Sequence, residues 1–451
     1  MRTLILLCCL FLISGLSGQK LLKLDEAVRR SIAHKPSLQV LRLQSNQQQL
    51  SVREAKANWW PEISFAYDYR YNPVVATTVI PIGQFDINNP TNVVRGIKMG
   101  TKWQQNTGIT LSQTLIDWSV IRNIKRSKLA AKRAVSEEKS GRDELIFEAA
   151  RSYLNICRYE QQTLITLNDT LRTFTTLAQQ EVLFANERLL ISDLNRARIN
   201  HNDAISRWQN SVTDLIAEKL YLAFLTGIPN DSMLLSVRFD QESLSYLNAC
   251  MRYEATPDSL HSLQTLQMDE LIAQEDLRVA KAHSLPTLSL NAFFGGNQFN
   301  DCLSPFEKGT WYASSYIGIS IQWPILYREN FTARNKRLRL EAQIQALRKT
   351  EETTHYQTDA LIAAQRFESL RQEIERLEKN KILEEEILRV LGKRFEEQRA
   401  SAFELNLEAL EYLKLQGELQ EKQTEQILQS LEYLKNTGLL YLLQSPAQPS
   451  E

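Results

Sequence analysis

The chain is written twice. Val52-Arg-Glu-Ala-Lys-Ala-Asn-Trp-Trp-Pro61 returns 225 residues later as Leu277-Arg-Val-Ala-Lys-Ala-His-Ser-Leu-Pro286. Gly108-Ile-Thr-Leu111 returns as Gly318-Ile-Ser-Ile321 at an offset of 210, while Phe184 returns as Phe395 and Thr226-Gly227 as Thr437-Gly438 at 211. One offset held from Phe184 to Gly227 points to duplication. The fall from 225 to 210 places fifteen extra residues in the first copy, between Pro61 and Gly108. Duplication constrains the fold, because each copy must repeat the same order of elements.

That order reads helix, strand, loop, strand, long helix, tight turn, helix. The first helix is expected over Leu24–Ala57, stopped by Pro61, which has no amide to continue it. Ile63, Phe65, Tyr67, Tyr69 and Tyr71 then alternate with Glu62, Ser64, Ala66, Asp68 and Arg70, a period of two that predicts a strand with one apolar face. Strands are expected at about 62–71, 107–116, 287–296 and 312–323. After each strand pair, roughly 65 to 70 residues run without proline, about 100 Å of helix at 1.5 Å per residue. Their apolar residues fall at threes and fours: Ala150, Leu154, Cys157, Leu164, Leu171, Phe174, Ala178 in one, and Phe367, Leu370, Ile374, Leu377, Leu388, Leu391, Phe395 in the other. Such a repeat predicts left-handed coiled-coil packing. The shorter helices, placed end to end, match one long helix.

Composition removes several classes. Lys plus Arg is 53 and Asp plus Glu is 53, so the chain lacks the basic surplus of a nucleic-acid binder. Hydrophobic residues at 43% exclude wholesale disorder, and 15 Gly with 12 Pro in 451 residues disfavour loop-rich all-β folds. Residues 1–18 read as a secretory signal peptide, with Arg2, an apolar run from Leu4 to Leu16, and small residues before Gln19. No later run reaches the ~18 apolar residues of a membrane-spanning helix, so an exported chain of this kind is either soluble or crosses a bilayer as strands. Cys157, Cys250 and Cys302 are too few and too scattered for a disulfide framework or zinc site. Cys157 is expected as a buried apolar residue.

Nothing suggests an enzyme or a cofactor. The five histidines are dispersed, phosphate-binding and nucleophile-elbow glycine motifs are absent, and the acidic run Glu384-Glu385-Glu386 is expected to be solvated. His201 shares a helical frame with Leu194, Ile205 and Trp208 and is expected to be packed.

The strands carry the functional signal. Six of seven tryptophans, Trp59, Trp60, Trp103, Trp118, Trp311 and Trp323, flank the expected strands, as in the aromatic girdles of membrane barrels. A hydrophobic cap on a soluble β-domain is the alternative. Four strands cannot enclose a lumen, and an open edge is not tolerated in lipid, so closure must use other copies. Two chains give eight strands, which side chains fill, whereas three give twelve and leave a lumen.

The arrangement resembles the TolC-type outer-membrane efflux channels over about residues 22–440. The resemblance is carried by Leu24-Asp-Glu-Ala27, Ala55-Lys-Ala-Asn-Trp-Trp-Pro61, Leu111-Ser-Gln-Thr-Leu-Ile-Asp117, Ile191-Ser-Asp-Leu-Asn-Arg-Ala-Arg198 and Ala402-Phe-Glu-Leu-Asn-Leu-Glu-Ala409. It divides the chain into a signal peptide (1–18), a first repeat (19–230), a connection (231–256), a second repeat (257–440) and a tail (441–451). It implies a mostly α fold with a membrane β-barrel portion: a homotrimer with a twelve-stranded barrel in the outer-membrane lipid and a long helical coiled-coil barrel in the periplasm. Its implied partners are a periplasmic adaptor (membrane fusion protein) and an inner-membrane pump, with loops 72–102 and 296–311 facing outward. It also implies a closed periplasmic entrance at the helix–helix turns. Here Asp193 and Glu404 supply acidic side chains, which can also serve as ordinary helix-terminal acids, and Arg188 and Arg399 are positioned to latch onto them. Leu407 replaces the second acidic position of the family's tip, and Glu187 and Gln398 stand where the family often has glycine. The rival readings are an exported coiled-coil structural or adhesive protein without a pore, and a periplasmic adaptor, whose glycine-rich β domain is missing.

Overall fold

The computed structural model describes residues 22–81, 94–228, 259–303, 311–325, 329–397 and 399–444. The expected signal peptide, the 231–256 connection, Cys250, Gln398, the tail beyond residue 444 and parts of both outward loops lie outside the described residues.

The elements in order are α1 (Leu24–His34), α2 (Pro36–Ala57), β1 (Glu62–Tyr71), β2 (Thr77–Pro81), β3 (Val94–Lys98), β4 (Trp103–Ile116), α3 (Trp118–Ala185), α4 (Ile191–Thr226), α5 (His261–Ala282), β5 (Thr287–Asn300), β6 (Trp311–Gln322), α6 (Glu329–Glu396) and α7 (Ala402–Thr437), with a closing 3-10 turn at Leu440–Gln444. Equal lengths repeat: α2 and α5 have 22 residues each, α3 and α6 have 68, and α4 and α7 have 36. The chain divides into two compact units, one of residues 46–132 and 268–346, the other of 1–45, 133–267 and 347–451.

The first unit carries an antiparallel sheet in the order β1-β4-β5-β6. β4 and β5 are 14 residues long, longer than the alternation alone predicted, because polar residues such as Gln104, Gln105, Asn297 and Gln298 extend the pairing. Within the expected outward loop, β2 and β3 form a separate hairpin. Gly108 and Gly295 face each other across β4 and β5, under the ring of Phe293. A Cβ on Gly108 would lie 2.5 Å from that ring, and one on Gly295 2.3 Å from the Thr107 carbonyl oxygen, so glycine is required by close approach.

In the second unit, α1 packs with α3, α4, α7 and the closing turn. Val28, Ile146, Ile156, Leu222, Leu431 and Leu434 are fully buried there, and Tyr153 Oη donates to the Leu22 carbonyl at 3.2 Å. The expected single opening helix is broken. Pro36 has no amide to donate and biases its predecessor to extended geometry, so Lys35 takes φ −70° and ψ 117° and α2 starts afresh. Gly227 and Gly438 end α4 and α7 at φ 68° and 74°. Added Cβ atoms there would press on His34 at 2.9 Å and Ser259 at 2.5 Å, equivalent contacts 225 residues apart.

The coiled-coil frames are only partly realised inside the chain. Ala150, Leu154 and Cys157 are buried, as are Leu370, Ile374 and Leu377. Leu164, Leu171 and Phe174, expected in the seam, are instead 57–60% exposed. A polar heptad, Thr166, Thr173 and Gln180, takes the buried positions. Thr166 meets the Ser211 hydroxyl at 2.9 Å and Thr173 the His201 ring at 3.1 Å, while Gln180 Oε1 has no partner among the described residues, so the two threonines join α3 to α4 by hydrogen bonds and the apolar stripe of α3 turns outward.

Candidate functional site

In the sheet-bearing unit the two faces differ as the period of two requires. One face carries Ile63, Phe65, Ile109, Leu111, Leu288, Leu290, Phe294, Ile317, Ile319 and Ile321, aligned across the four strands by the register. It is uncovered: Ile317 is 82% exposed and Phe65 71%. The other face carries Ser64, Asp68, Arg70, Asn106, Thr110, Ser112, Asn291, Asn297 and Ser320, with Ser289 and Ser320 hydroxyls 2.7 Å apart and Asn291 donating to Ser320 at 2.8 Å. Phe293 and Tyr316 stack on this polar face at 5.8 Å. β1 and β6 are the edge strands, each paired on one side only among the described residues.

The six tryptophans fall at the two ends of the sheet. Trp103 opens β4 and stacks on Tyr69 and Tyr71 at 5.1 and 4.4 Å, and Trp311 opens β6 at the same end. Trp59 and Trp60 precede β1, Trp118 opens α3, and Trp323 follows β6, all at the helical end. Trp60 and Trp323 are 76% and 63% exposed. Beneath that end Glu275 on α5, 1% exposed, accepts from Lys125 at 2.8 Å and from Arg278, with Arg122 at 3.7 Å. Burial raises its pKa, but the bonds from Lys125 and Arg278 outweigh this and hold the carboxyl below the usual range. Arg126 pairs with the adjacent Asp276.

The other unit contains the helix–helix turns. After α3, Glu187 adopts φ 58°, the left-handed conformation that glycine supplies more cheaply. The amides of Glu187 and Arg188 donate to the Phe184 and Leu183 carbonyls at 2.9 Å each, closing a Schellman turn. α4 then starts at Leu190 with no side-chain cap, and Asp193 is the acid of its first turn. The second copy is built differently. Ser401 caps α7 through its hydroxyl, which accepts from the Glu404 amide at 3.1 Å, while the Glu404 carboxylate accepts from the Ser401 amide at 2.9 Å. This is a capping box.

Within a single chain the latch pairs are not formed. Arg399 pairs with Glu397 at 3.3 Å rather than with Glu404, because Glu404 is turned back onto Ser401. Among the described residues neither Arg188 nor Asp193 makes an ion pair. In the acidic run on α6, Glu385 and Glu386 are exposed as expected, whereas Glu384 is half-buried. Glu385 accepts from Tyr412 Oη at 2.6 Å, and burial, followed by hydrogen bonding to Glu408, raises the Glu384 carboxyl above its ordinary range. The α6–α7 seam brings these acids together, a pairing invisible within one helix.

A further cluster escaped sequence reasoning. Asp169 on α3, with its side chain 1% exposed, accepts from Arg172 at 2.8 Å and from Arg207 of α4 at 2.7 Å. Arg172 also donates to Asn406 of α7 at 2.7 Å, joining the hairpins of the two copies. Arg172, Arg207 and Asn406 border a cavity of about 130 Å³ also lined by Asn200 and Asp203. Nearby, His201 bonds Thr173 Oγ1 at 3.1 Å. An acid three residues before an arginine was the one available signal, and such pairs are common on exposed helices. Cys157 is buried, and burial pushes its thiol up to about 12, whereas Cys302 is exposed. Among the described residues no metal-binding cluster occurs, and no helix is long and apolar enough to cross a membrane.

No family model matches the sequence, and no curated protein matches it at a significant level. Solved structures do match the fold. The outer membrane protein VceC of Vibrio cholerae is 15% identical with a TM-score of 0.73, covering 92% of this chain and 96% of its own. The CmeC outer membrane channel of Campylobacter jejuni is 13% identical with a TM-score of 0.76, covering 92% and 85%. The MtrE outer membrane channel of Neisseria gonorrhoeae, solved in an open state, is 15% identical with a TM-score of 0.69, covering 92% and 88%. This chain therefore has the fold of the outer-membrane channels, the fold expected from its resemblance to the TolC type.

Proposed function

We propose that the protein is the outer-membrane channel of an efflux or secretion assembly in a Gram-negative envelope, a passive conduit for substrates delivered by an inner-membrane pump through a periplasmic adaptor. The observation that carries the reading is a four-stranded sheet with two open edges and one bare apolar face. Unpaired edges are excluded from lipid, so β1 of one copy must meet β6 of another. Three copies give twelve strands, whose polar faces line a lumen. The tryptophans support this setting. Trp311 and Trp323 are twelve steps apart, about 41 Å at about 3.4 Å per residue. A strand tilt of about 40° reduces that to about 31 Å along the normal, close to the thickness of a bilayer core.

The outward stripe of Leu164, Leu171, Phe174 and Val182 on α3 likewise calls for a neighbouring copy, because the threonines on another face of α3 already make the contact with α4. Asp193 and Glu404, repeated three times around an entrance, would concentrate negative potential and favour cations. Arg188, exposed beside the Glu187 turn, and Arg399, paired with Glu397, temper that field.

The test is reconstitution of the mature chain in planar bilayers together with chemical cross-linking. Trimers and discrete single-channel steps are expected. A monodisperse soluble monomer that ignores detergent micelles and vesicles would refute the proposal.

A further inference from the structure

The helices nearest the sheet carry exposed cations without ion-pair partners among the described residues. Lys56 ends α2, and Lys281 ends α5 at the equivalent position 225 residues on. Lys128 lies in the first three turns of α3, and Arg334, Arg337 and Arg339 in the first three of α6. All six are exposed, and none forms an ion pair among the described residues. The strongest nearby acids are taken: Glu275 is held by Lys125 and Arg278, and Asp276 by Arg126. Farther along α6 the pattern reverses, with Arg371 and Lys379 paired to Glu368 and Glu375 within their own helix.

We infer that this collar binds the phosphate groups of anionic phospholipids in the leaflet that faces the helices. The inference rests on the barrel reading above and adds a lipid preference to it. Its level is right. Lys56 and Lys281 each stand six residues before a strand, beside the helical-end tryptophans. Lys128 and the three arginines lie about 8–15 Å of helix rise from the α3 and α6 starts. The headgroup layer extends about 5–7 Å beyond the hydrocarbon core, and the field of an anionic surface reaches a further Debye length of about 8 Å. The chemistry fits as well: guanidinium forks grip phosphate oxygens bidentately, and lysine beside a tryptophan girdle reaches up to the interface along its apolar stem. The bare apolar face of the sheet is continuous in chain with this collar, so lipid that wets the strands is presented to it.

The experiment uses the full mature chain in nanodiscs of phosphatidylcholine with and without phosphatidylglycerol, and native mass spectrometry of the lipids retained. The wild-type protein is expected to enrich phosphatidylglycerol, less so as salt rises. Each cation removed should lower the enrichment roughly five-fold at low salt, so R334Q/R337Q/R339Q should lose on the order of a hundred-fold. K56Q/K281Q, at the opposite helix ends, provides an independent reading if the triple variant folds poorly. K379Q/R389Q, the same kind of charge change farther along α6, should leave the enrichment intact. Insertion without preference for phosphatidylglycerol, or a preference untouched by both collar variants, overturns the inference while leaving the barrel standing. Failure to enter discs of either composition overturns both.

Discussion

Replacing Asp169 with alanine removes the acceptor that α3 and α4 share. Its carboxylate takes one charged hydrogen bond from Arg172 at 2.8 Å and one from Arg207 at 2.7 Å. Hydrogen bonds to charged groups contribute about 1.5–3 kcal/mol each, and breaking a fully buried pair costs about 3–5 kcal/mol. The guanidinium ends are 31% and 43% exposed, however, so water recovers part of the loss. About 2–3 kcal/mol of local stability should disappear. Amide hydrogen exchange in the segments around Asp169 and Arg207 reads this directly, since local opening is governed by the same free energy. Exchange there should quicken roughly 30- to 150-fold at 1.36 kcal/mol per decade, and the α1–α7 core around Leu431 should not change. Arg207→Gln should lose less, because Asp169 keeps Arg172, and the double variant should fall short of the sum. Glu181→Gln, which breaks an exposed pair with Arg198 at 3.5 Å, should shift exchange by less than about three-fold. If Asp169→Ala behaved like Glu181→Gln, the claim that a buried carboxylate ties the two helices would be wrong.

Other perturbations have equally definite outcomes. Glu187→Gly relieves a left-handed residue and should slow exchange in the first turn by the equivalent of about 0.5–1 kcal/mol, whereas Glu187→Val should speed it. Ser401→Ala removes a capping-box hydroxyl and should cost about 1 kcal/mol at the start of α7. Glu404→Gln keeps the box, which accepts Gln as well as Glu, so it isolates charge: cation preference and block by multivalent cations should weaken in single-channel records, with helix protection unchanged. Glu384 has a folded-state pKa above its ordinary value, so the folded seam binds more protons and loses stability as pH rises through the unfolded and then the folded range. Glu384→Gln should therefore protect the α6–α7 seam at neutral pH and make no difference in acid. Alkylation at neutral pH followed by peptide mass analysis should label Cys302 and leave Cys157 unmodified.

The duplication was legible because backbone requirements leave fixed marks. Pro61 and Pro286 end helices, and Gly227 and Gly438 turn chains at positive φ against a close neighbour, so the spacing survives where side chains have changed. The strands were legible from alternation, although polar pairing carried β4 and β5 past the alternating stretch. Burial on α3 was not. A heptad states that a helix has a seam but not which neighbour fills it, and Leu171 and Thr173 sit two residues apart on different faces. The Asp169 and Glu384 clusters depend on residues 38 and 24 positions away, on partner helices, and no local pattern reports that. Within one chain Arg399 does not reach Glu404 for a local reason: Ser401, three residues before Glu404, offers the carboxylate a nearer amide.

The unequal caps have a mechanical consequence. In the three-fold assembly proposed above, six hairpin bends would alternate around the mouth, three stapled by Ser401 and Glu404 and three starting on bare Leu190. Under an outward pull the unstapled bends would fray first, so dilation would begin at every second position on the circumference and spread to the stiffer ones afterwards.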